Sequence, residues 1–166
     1  MNEKQQRQDF QNIIEQHKGI FYKIARAYCA NEDDRQDLIQ EMMIQVWQSN
    51  HRYNGQFKIS TWLYRISLNV AITFYRKNTT RANKHTLLDE QMEQIQTDDK
   101  TADERQLVLL EKFISELKEI DKALMVLYLE DKSHAEIAEI LGMSISNVGT
   151  KIARIKEKLK TRFSQL

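Results

Sequence analysis

Four groups of side chains in this sequence combine residue types and spacings that could do chemistry, and in each the chemistry is recognition rather than bond breaking. Near the C-terminus Asn147, Thr150, Lys151, Arg154 and Lys158 fall, at about 100° per residue, opposite an apolar stripe of Val148, Ile152, Ile155 and Leu159. Hydrogen-bonding groups at a helix start with cations further along are what base-edge and phosphate contacts in a major groove require. A second line, Arg65, Asn69, Thr73 and Arg76, is the polar stripe of a helix that is otherwise apolar, with Leu63, Ile66, Val70 and Phe74 on one side and Tyr64, Leu68, Ala71 and Tyr75 on the other. Such a line suits a helix that tracks along nucleic acid. Immediately before it, Arg52, Tyr53, Asn54, Gly55, Gln56, Phe57 and Lys58 interleave rings, amides and cations in a segment read as flexible, a mixture that suits unstacked bases. Trp62 reads as core rather than as a further stacking platform. Fourth, Asp37, Gln40, Glu41 and Gln48 gather around Ile44 on the face opposite Leu38, Ile39, Met42, Met43 and Val46. Carboxylates repel DNA, so this face is expected to bind protein through an apolar anchor.

Signals of catalysis are poor. His17, His51, His85 and His134 are scattered, and none pairs with Cys29 or a carboxylate at metal-ligand spacing. No glycine-rich phosphate loop and no serine in a nucleophile elbow occur. Catalytic residues, metal ligands and cofactors are therefore not expected.

Helices must position all four groups. The 166-residue chain has no proline and four glycines, is 41% apolar and 30% charged, and abounds in helix formers, so the expected class is all-α. Its formal net charge of +1 hides a sharp unevenness. No acid occurs between Glu41 and Asp89, a stretch that holds Arg52, Lys58, Arg65, Arg76, Lys77, Arg81 and Lys84, and a second basic block from Lys151 to Arg162 is opposed by Glu157 alone. Acids collect between the two. Two basic surfaces around an acidic middle suggest two contacts with one polyanion. The lone Cys29 cannot form an internal disulfide, no targeting segment opens the chain, and apolar runs such as 107–110 fall far short of the roughly 20 residues of a membrane span. A cytoplasmic chain without membrane insertion is expected.

Four helical stretches are expected in the N-terminal half. Phe10, Ile13, Ile14, Phe21, Ile24, Ala25 and Tyr28 form core stripes, Asn31 caps a helix to about Gln48, Ser49 to Gln56 is a loop, and Ser60 caps a helix to about Arg76. Residues 79–103 lose periodicity and turn acidic, as an exposed linker does. Beyond it Thr101 and Glu104 make a capping box before a stripe of Leu107, Leu110, Phe113, Ile114 and Leu117, and Ala123, Leu124, Leu127 and Tyr128 mark the next helix. Ser133 and Glu136 make a second box opening a short helix that Gly142 ends, and Ser144 caps the last. The final pair is a helix-turn-helix pattern. The expected organisation is two small helical domains, 8–78 and 104–163, joined by a flexible acidic linker, 79–103.

Taken in order, DLIQEMMIQVW, FKISTWLYRISLNVAITFYRK and SHAEIAEILGMSISNVGTKIARIKEKL resemble motifs of the extracytoplasmic-function (ECF) group of bacterial RNA polymerase sigma factors, in the sigma-70 family. The resemblance implies a region 2-like bundle that binds core polymerase and opens the minus-ten element, and a region 4-like domain that reads the minus-thirty-five element. It implies that Asp37, Gln40, Glu41 and Ile44 hold the polymerase clamp. Tyr53, Asn54, Gln56, Phe57 and Lys58 would belong to the loop that captures a flipped minus-ten base, Asn69 would contact an adjacent base, and Arg65, Arg76 and Lys77 would follow the phosphates. Upstream-element contacts would fall on Ser146, Asn147, Thr150, Lys151, Arg154 and Lys158. The implied partners are the clamp and flap of core RNA polymerase, promoter DNA and an anti-sigma factor, with the chain a monomer within the holoenzyme.

Two positions depart from the family pattern. A Leu-Pro dipeptide that often opens region 4 is Leu117-Lys118, and an often basic position early in the recognition helix is Gly149. Glycine there removes a phosphate contact and costs about 1 kcal/mol of helix propensity relative to alanine. A competing class, a regulator that uses its helix-turn-helix on duplex DNA without polymerase, accounts for residues 133–162 but not for the acid-free aromatic segment. A purely structural adaptor accounts for neither basic block.

Overall fold

The computed structural model describes residues 2–81 and 101–165. Among the described residues it contains seven α-helices, one 3-10 turn and no strand. The helices are α1 (Glu3–Tyr28), α2 (Glu32–Ser49), α3 (Ile59–Arg81), α4 (Ala102–Ser115), α5 (Glu119–Leu129), α6 (His134–Leu141) and α7 (Ile145–Ser164), with the 3-10 turn at Asn50–Arg52. Of the expected linker, 79–81 close α3, 101–103 open α4, and the remainder lies outside the described residues.

The N-terminal half holds three α-helices rather than four helical stretches, because α1 runs unbroken through Gly19. No capping residue or proline follows that glycine, so its cost in propensity is absorbed by a 26-residue rod. Burial grows along α1, from half-buried Phe10, Ile13 and Ile14 to buried Ile20, Phe21, Ile24, Ala25 and Tyr28. Asn31 starts α2, its Oδ1 accepting from the Asp34 N–H at 2.8 Å, with Glu32, Asp33 and Asp34 at the positive end of the helix dipole.

Helix α3 begins before Ser60, which is therefore inside the helix and not its cap; the first turn closes from the Trp62 N–H to the Lys58 carbonyl at 3.1 Å. It also passes Arg76 to reach Arg81, with the Thr79 hydroxyl bonded back to the carbonyls of Tyr75 and Arg76. The deep face of α3 differs from the expected one. Leu63, Tyr64, Ser67, Leu68, Ala71 and Ile72 are buried, whereas Ile66, Val70 and Phe74 are half-buried. The helix is packed by α1 and α2 on one side and by α5 and α6 on the other, so the residues between those neighbours go deepest.

The capping box at Thr101 is complete: the Thr101 N–H donates to Glu104 Oε2 at 3.1 Å and the Glu104 N–H to Thr101 Oγ1 at 3.3 Å. Leu107 is 60% exposed and does not belong to the core stripe, since α4 becomes buried at Phe113 and Ile114. The second box closes on one side. Ser133 Oγ accepts from the Glu136 N–H at 3.1 Å, but the Glu136 carboxylate accepts from the serine hydroxyl and lies 3.8 Å from Lys132. Gly142 ends α6 in the left-handed conformation, φ +67°, and Ser144 Oγ accepts from the Asn147 N–H at 3.1 Å to start α7. A Gly142→Ala chain should lose about 1–2 kcal/mol of stability, because an L side chain is strained at that φ; urea unfolding followed by circular dichroism measures it.

Helix α5 is the hub of the second half, with Ala123, Leu124, Met125, Val126 and Leu127 all buried. It packs on α7, α6 and α4 of its own half and on α1 and α3 of the other. No described helix is long and apolar enough to cross a membrane.

Candidate nucleic-acid and protein interfaces

The apolar stripe of α7, Val148, Ile152, Ile155 and Leu159, is buried. Opposite it Ser146, Asn147, Thr150, Arg154 and Lys158 are exposed, while Lys151 is half-buried on the flank beside Lys118, Glu119 and Asp121. The Thr150 hydroxyl donates to the Ser146 carbonyl at 3.0 Å, so it is turned onto its own helix. Two other cations of the basic block serve the domain itself. Lys156 Nζ lies 3.1 Å from the Tyr128 hydroxyl and 5.0 Å from the ring centre, and Arg162 pairs with Glu116 at 2.6 Å across the Phe113 ring. Lys151, Arg154 and Lys158 form no ion pair among the described residues, which leaves their charge to solvent or a ligand. At Gly149 a Cβ would stand 3.4 Å from His134 Nδ1, so the imidazole occupies the space beside this position. Sequence spacing could not reveal that pairing, since the two residues meet only when α6 folds onto α7.

On α3 the stripe is exposed as expected: Arg65, Asn69, Thr73, Arg76 and Lys77 all face outward. The segment before it is an ordered turn rather than a flexible one. Asn54 Oδ1 accepts from the Gln56 N–H at 3.1 Å, Gly55 takes φ +79°, and the Tyr53 hydroxyl donates to the Phe57 carbonyl at 2.8 Å. Tyr53 leans on half-buried Trp62 with ring centres 5.1 Å apart, and the Arg65 guanidinium lies 5.4 Å over the Phe57 ring. Half-buried Tyr53 and Phe57 thereby stand beside exposed Asn54, Gln56, Lys58 and Arg65, a cluster of π-faces, amides and charge. Arg76, at the far end of the stripe, pairs with Glu119 of α5 at 2.9 Å.

Helix α2 turns Leu38, Ile39, Met42 and Val46 inward, with Met43 half-buried. Asp37, Gln40, Glu41 and Gln48 are exposed around Ile44, itself 52% exposed. One turn on from Ile44, Trp47 is 41% exposed and stands edge-on to Phe10 at 4.8 Å. The sequence reading did not weigh Trp47; its i+3 spacing from Ile44 was the available signal. The exposed apolar patch on this face is therefore broader than one isoleucine, set in carboxylates and amides.

Burial pushes the Cys29 thiol up to about 12, which makes it an inert core residue rather than a reactive one. Among the described residues no cluster of three histidine, cysteine or carboxylate side chains could hold a metal.

Two family models match this chain, Sigma-70 region 2 over residues 13–81 and Sigma-70, region 4 over residues 107–159. The chain is 28% identical over 153 residues to the RNA polymerase sigma factor SigV of Bacillus subtilis, covering 92% of this chain and 89% of that protein. It is 26% identical over 172 residues to the ECF RNA polymerase sigma factor SigW of the same organism, covering 95% and 90%. Among solved structures, CnrH in complex with the cytosolic domain of CnrY superposes with a TM-score of 0.69 at 20% identity, covering 96% of this chain and 90% of that one. The sigma factor RpoE of Bartonella quintana, in complex with the anti-sigma factor NepR, gives 0.68 at 16% identity, covering 94% and 97%.

Proposed function

This chain belongs to the sigma-70 family, as an alternative RNA polymerase sigma factor of the ECF group, and we propose that its three exposed surfaces divide the work of initiation. The α2 face around Asp37, Gln40, Glu41 and Ile44, with Trp47, docks on the clamp of core RNA polymerase. Tyr53 to Lys58 and the α3 stripe of Arg65, Asn69, Arg76 and Lys77 take the minus-ten DNA as it opens. Ser146, Asn147, Thr150, Lys151, Arg154 and Lys158 on α7 read the minus-thirty-five duplex, with His134 beside them. The working division is 8–78 for the first two tasks and 104–163 for the third, in the cytoplasm and as a monomer in the holoenzyme. The chain acts by binding, not by catalysis.

The observation that carries this reading is α3 itself. A helix buried on most of its surface retains one exposed line of arginine, amide, hydroxyl and arginine, and that line starts at an ordered turn that presents aromatic faces. A protein that only grips duplex DNA needs no such device, whereas one that holds a separated strand does. The relatives solved with CnrY and NepR support an anti-sigma factor as a further partner. The test is run-off transcription on fragmented genomic DNA by core polymerase with and without the chain. New start sites that depend on the chain are expected; their absence at every salt concentration that supports a control sigma factor would overturn the reading.

On the α7 surface, Lys151→Ala with Arg154→Ala should reduce transcription from a duplex promoter roughly tenfold or more, as two charge contacts of about 1 kcal/mol or somewhat more each are lost. A template with its minus-ten region already unpaired should suffer less. Equal loss on templates with and without the upstream element would mean that these side chains do not read it.

A further inference from the structure

Thr150 lies near the centre of the exposed face of α7, and its two chain neighbours fall about 100° to either side of it. On one flank Lys151 is followed by Lys158, and neither cation has an ion pair among the described residues. Through residue 153 the other flank is built of Ile145, Gly149 and Ala153, spaced four apart, and carries no polar side chain. Ile145 is 56% exposed, Ala153 is exposed and Gly149 is half-buried. Lys156, next along this flank, is turned to the Tyr128 hydroxyl.

A polar group reaches the bare flank from another helix. His134, the exposed first residue of α6, turns the Nδ1 and Cε1 edge of its ring to Gly149, where a Cβ would stand 3.4 Å from Nδ1 and 3.6 Å from Cε1. A long side chain at 149 would contest the place of the ring, and glycine yields it. Among the described residues no hydrogen bond or ion pair engages the imidazole.

A helix about 10–12 Å across fills a major groove about 12 Å wide, so its exposed centre meets base edges and its flanks meet the two sugar-phosphate walls. The lysine flank suits one wall. For the other wall this part of α7 has no donor of its own, and the imidazole N–H stands where one is needed. We propose that His134 binds a phosphate oxygen of the minus-thirty-five duplex, on the strand opposite the one that Lys151 touches, and that Gly149 leaves the room for it. The proposal rests on the assignment of α7 to that duplex made above. A phosphate contact carries no sequence information directly, but it fixes orientation. His134 is thus a positioning residue: gripped from both walls, α7 cannot roll in the groove, and Asn147 and Arg154 stay aimed at their base pairs.

The test measures binding of a promoter duplex, taken from a start site found by run-off transcription, to holoenzyme assembled from core polymerase and the full chain, at a temperature that keeps the DNA paired. Methylphosphonate linkages, each removing the charge of one phosphate, are placed singly along both strands of the upstream element. His134→Ala should weaken binding roughly tenfold, as expected for one hydrogen bond to a charged group. Neutralising one particular phosphate should weaken the unmodified chain by a similar factor and His134→Ala no further. The phosphate silenced in the same way by Lys151→Ala should lie on the other strand. His134→Gln, which keeps an N–H, should lose less than His134→Ala, and adding Gly149→Lys to His134→Ala should restore binding by supplying a donor from α7 itself. Full binding by His134→Ala, with Arg154→Ala weakened, would overturn the contact and leave the α7 assignment standing. So would a loss that leaves every phosphate effect in place, the mark of a merely structural role, or one that relaxes preference at a single base pair, the mark of a base-edge contact. No restoration by Gly149→Lys would overturn the role given to Gly149. Indifference to Arg154→Ala and Lys151→Ala together would overturn the assignment of α7, and this contact with it.

Discussion

A chain carrying Asp37→Arg and Ile44→Asp should lose at least 100-fold in affinity for core RNA polymerase and fail to co-purify with it. Ile44 is 52% exposed before any partner arrives, so docking has up to about 1–1.5 kcal/mol of apolar burial still to gain at that side chain. Aspartate there does more than forfeit this gain, because a carboxylate driven into a closing interface without a partner adds its own desolvation penalty. Asp37→Arg reverses a charge on the same exposed face, where complementary potential governs both encounter and register. Neither side chain supports the fold: both point away from the buried Leu38, Ile39, Met42 and Val46 face. Circular dichroism should therefore be unchanged, and retention on core equal to that of the unmodified chain would end the assignment of α2.

Promoter opening should require the holoenzyme and should depend on the turn before α3. Separating stacked base pairs costs on the order of 1.4 kcal/mol per step, and a base captured on an aromatic face regains roughly 1–3 kcal/mol. One turn cannot hold several base pairs open, so the isolated chain should leave promoter thymines unreactive to permanganate. Within the holoenzyme, Asn69→Ala with Phe57→Ala removes one base contact and the ring under Arg65, a loss of about 2 kcal/mol or more, and thymine reactivity should fall roughly 30-fold. Initial duplex binding, carried by α7, should change little. Undiminished reactivity in the double variant would favour a protein that acts on duplex DNA alone.

Much of the local structure was legible in the residues. Asn31, Thr101, Ser133 and Ser144 each cap the helix expected of them, because a cap bond spans three residues and needs nothing from elsewhere. The buried stripe of α7 and the exposed line on α3 followed from helical period alone, for the same reason. The four surface groups were visible as patterns of residue type, and the family resemblance joined them into one function. Where the reading missed, the deciding partner was distant. Leu107 continued a faultless apolar stripe, yet it is 60% exposed, since that helix becomes buried only at Phe113 and Ile114. Ile66, Val70 and Phe74 matched a core face as well as Leu63, Leu68 and Ala71 did, and only the neighbours α5 and α6 chose between them.

The turn at Asn54-Gly55 was recognisable as a turn, but its order comes from Tyr53 against Trp62 and Phe57 beneath Arg65, contacts between side chains of two elements. Lys122 is the extreme case. No capping pattern or apolar stripe singles it out in the sequence, yet it is 1% exposed and its ammonium donates to the Ala27 carbonyl, 95 residues away. Period and capping are properties of the chain over one or two turns, so the sequence by itself determined the helices, their starts and their chemical faces. Which faces meet depends on the free energy of burying them together, a sum over residues far apart in the chain, and so the tertiary structure alone decided that the largely apolar α5 folds back against α1 and α3 and buries a charge between them.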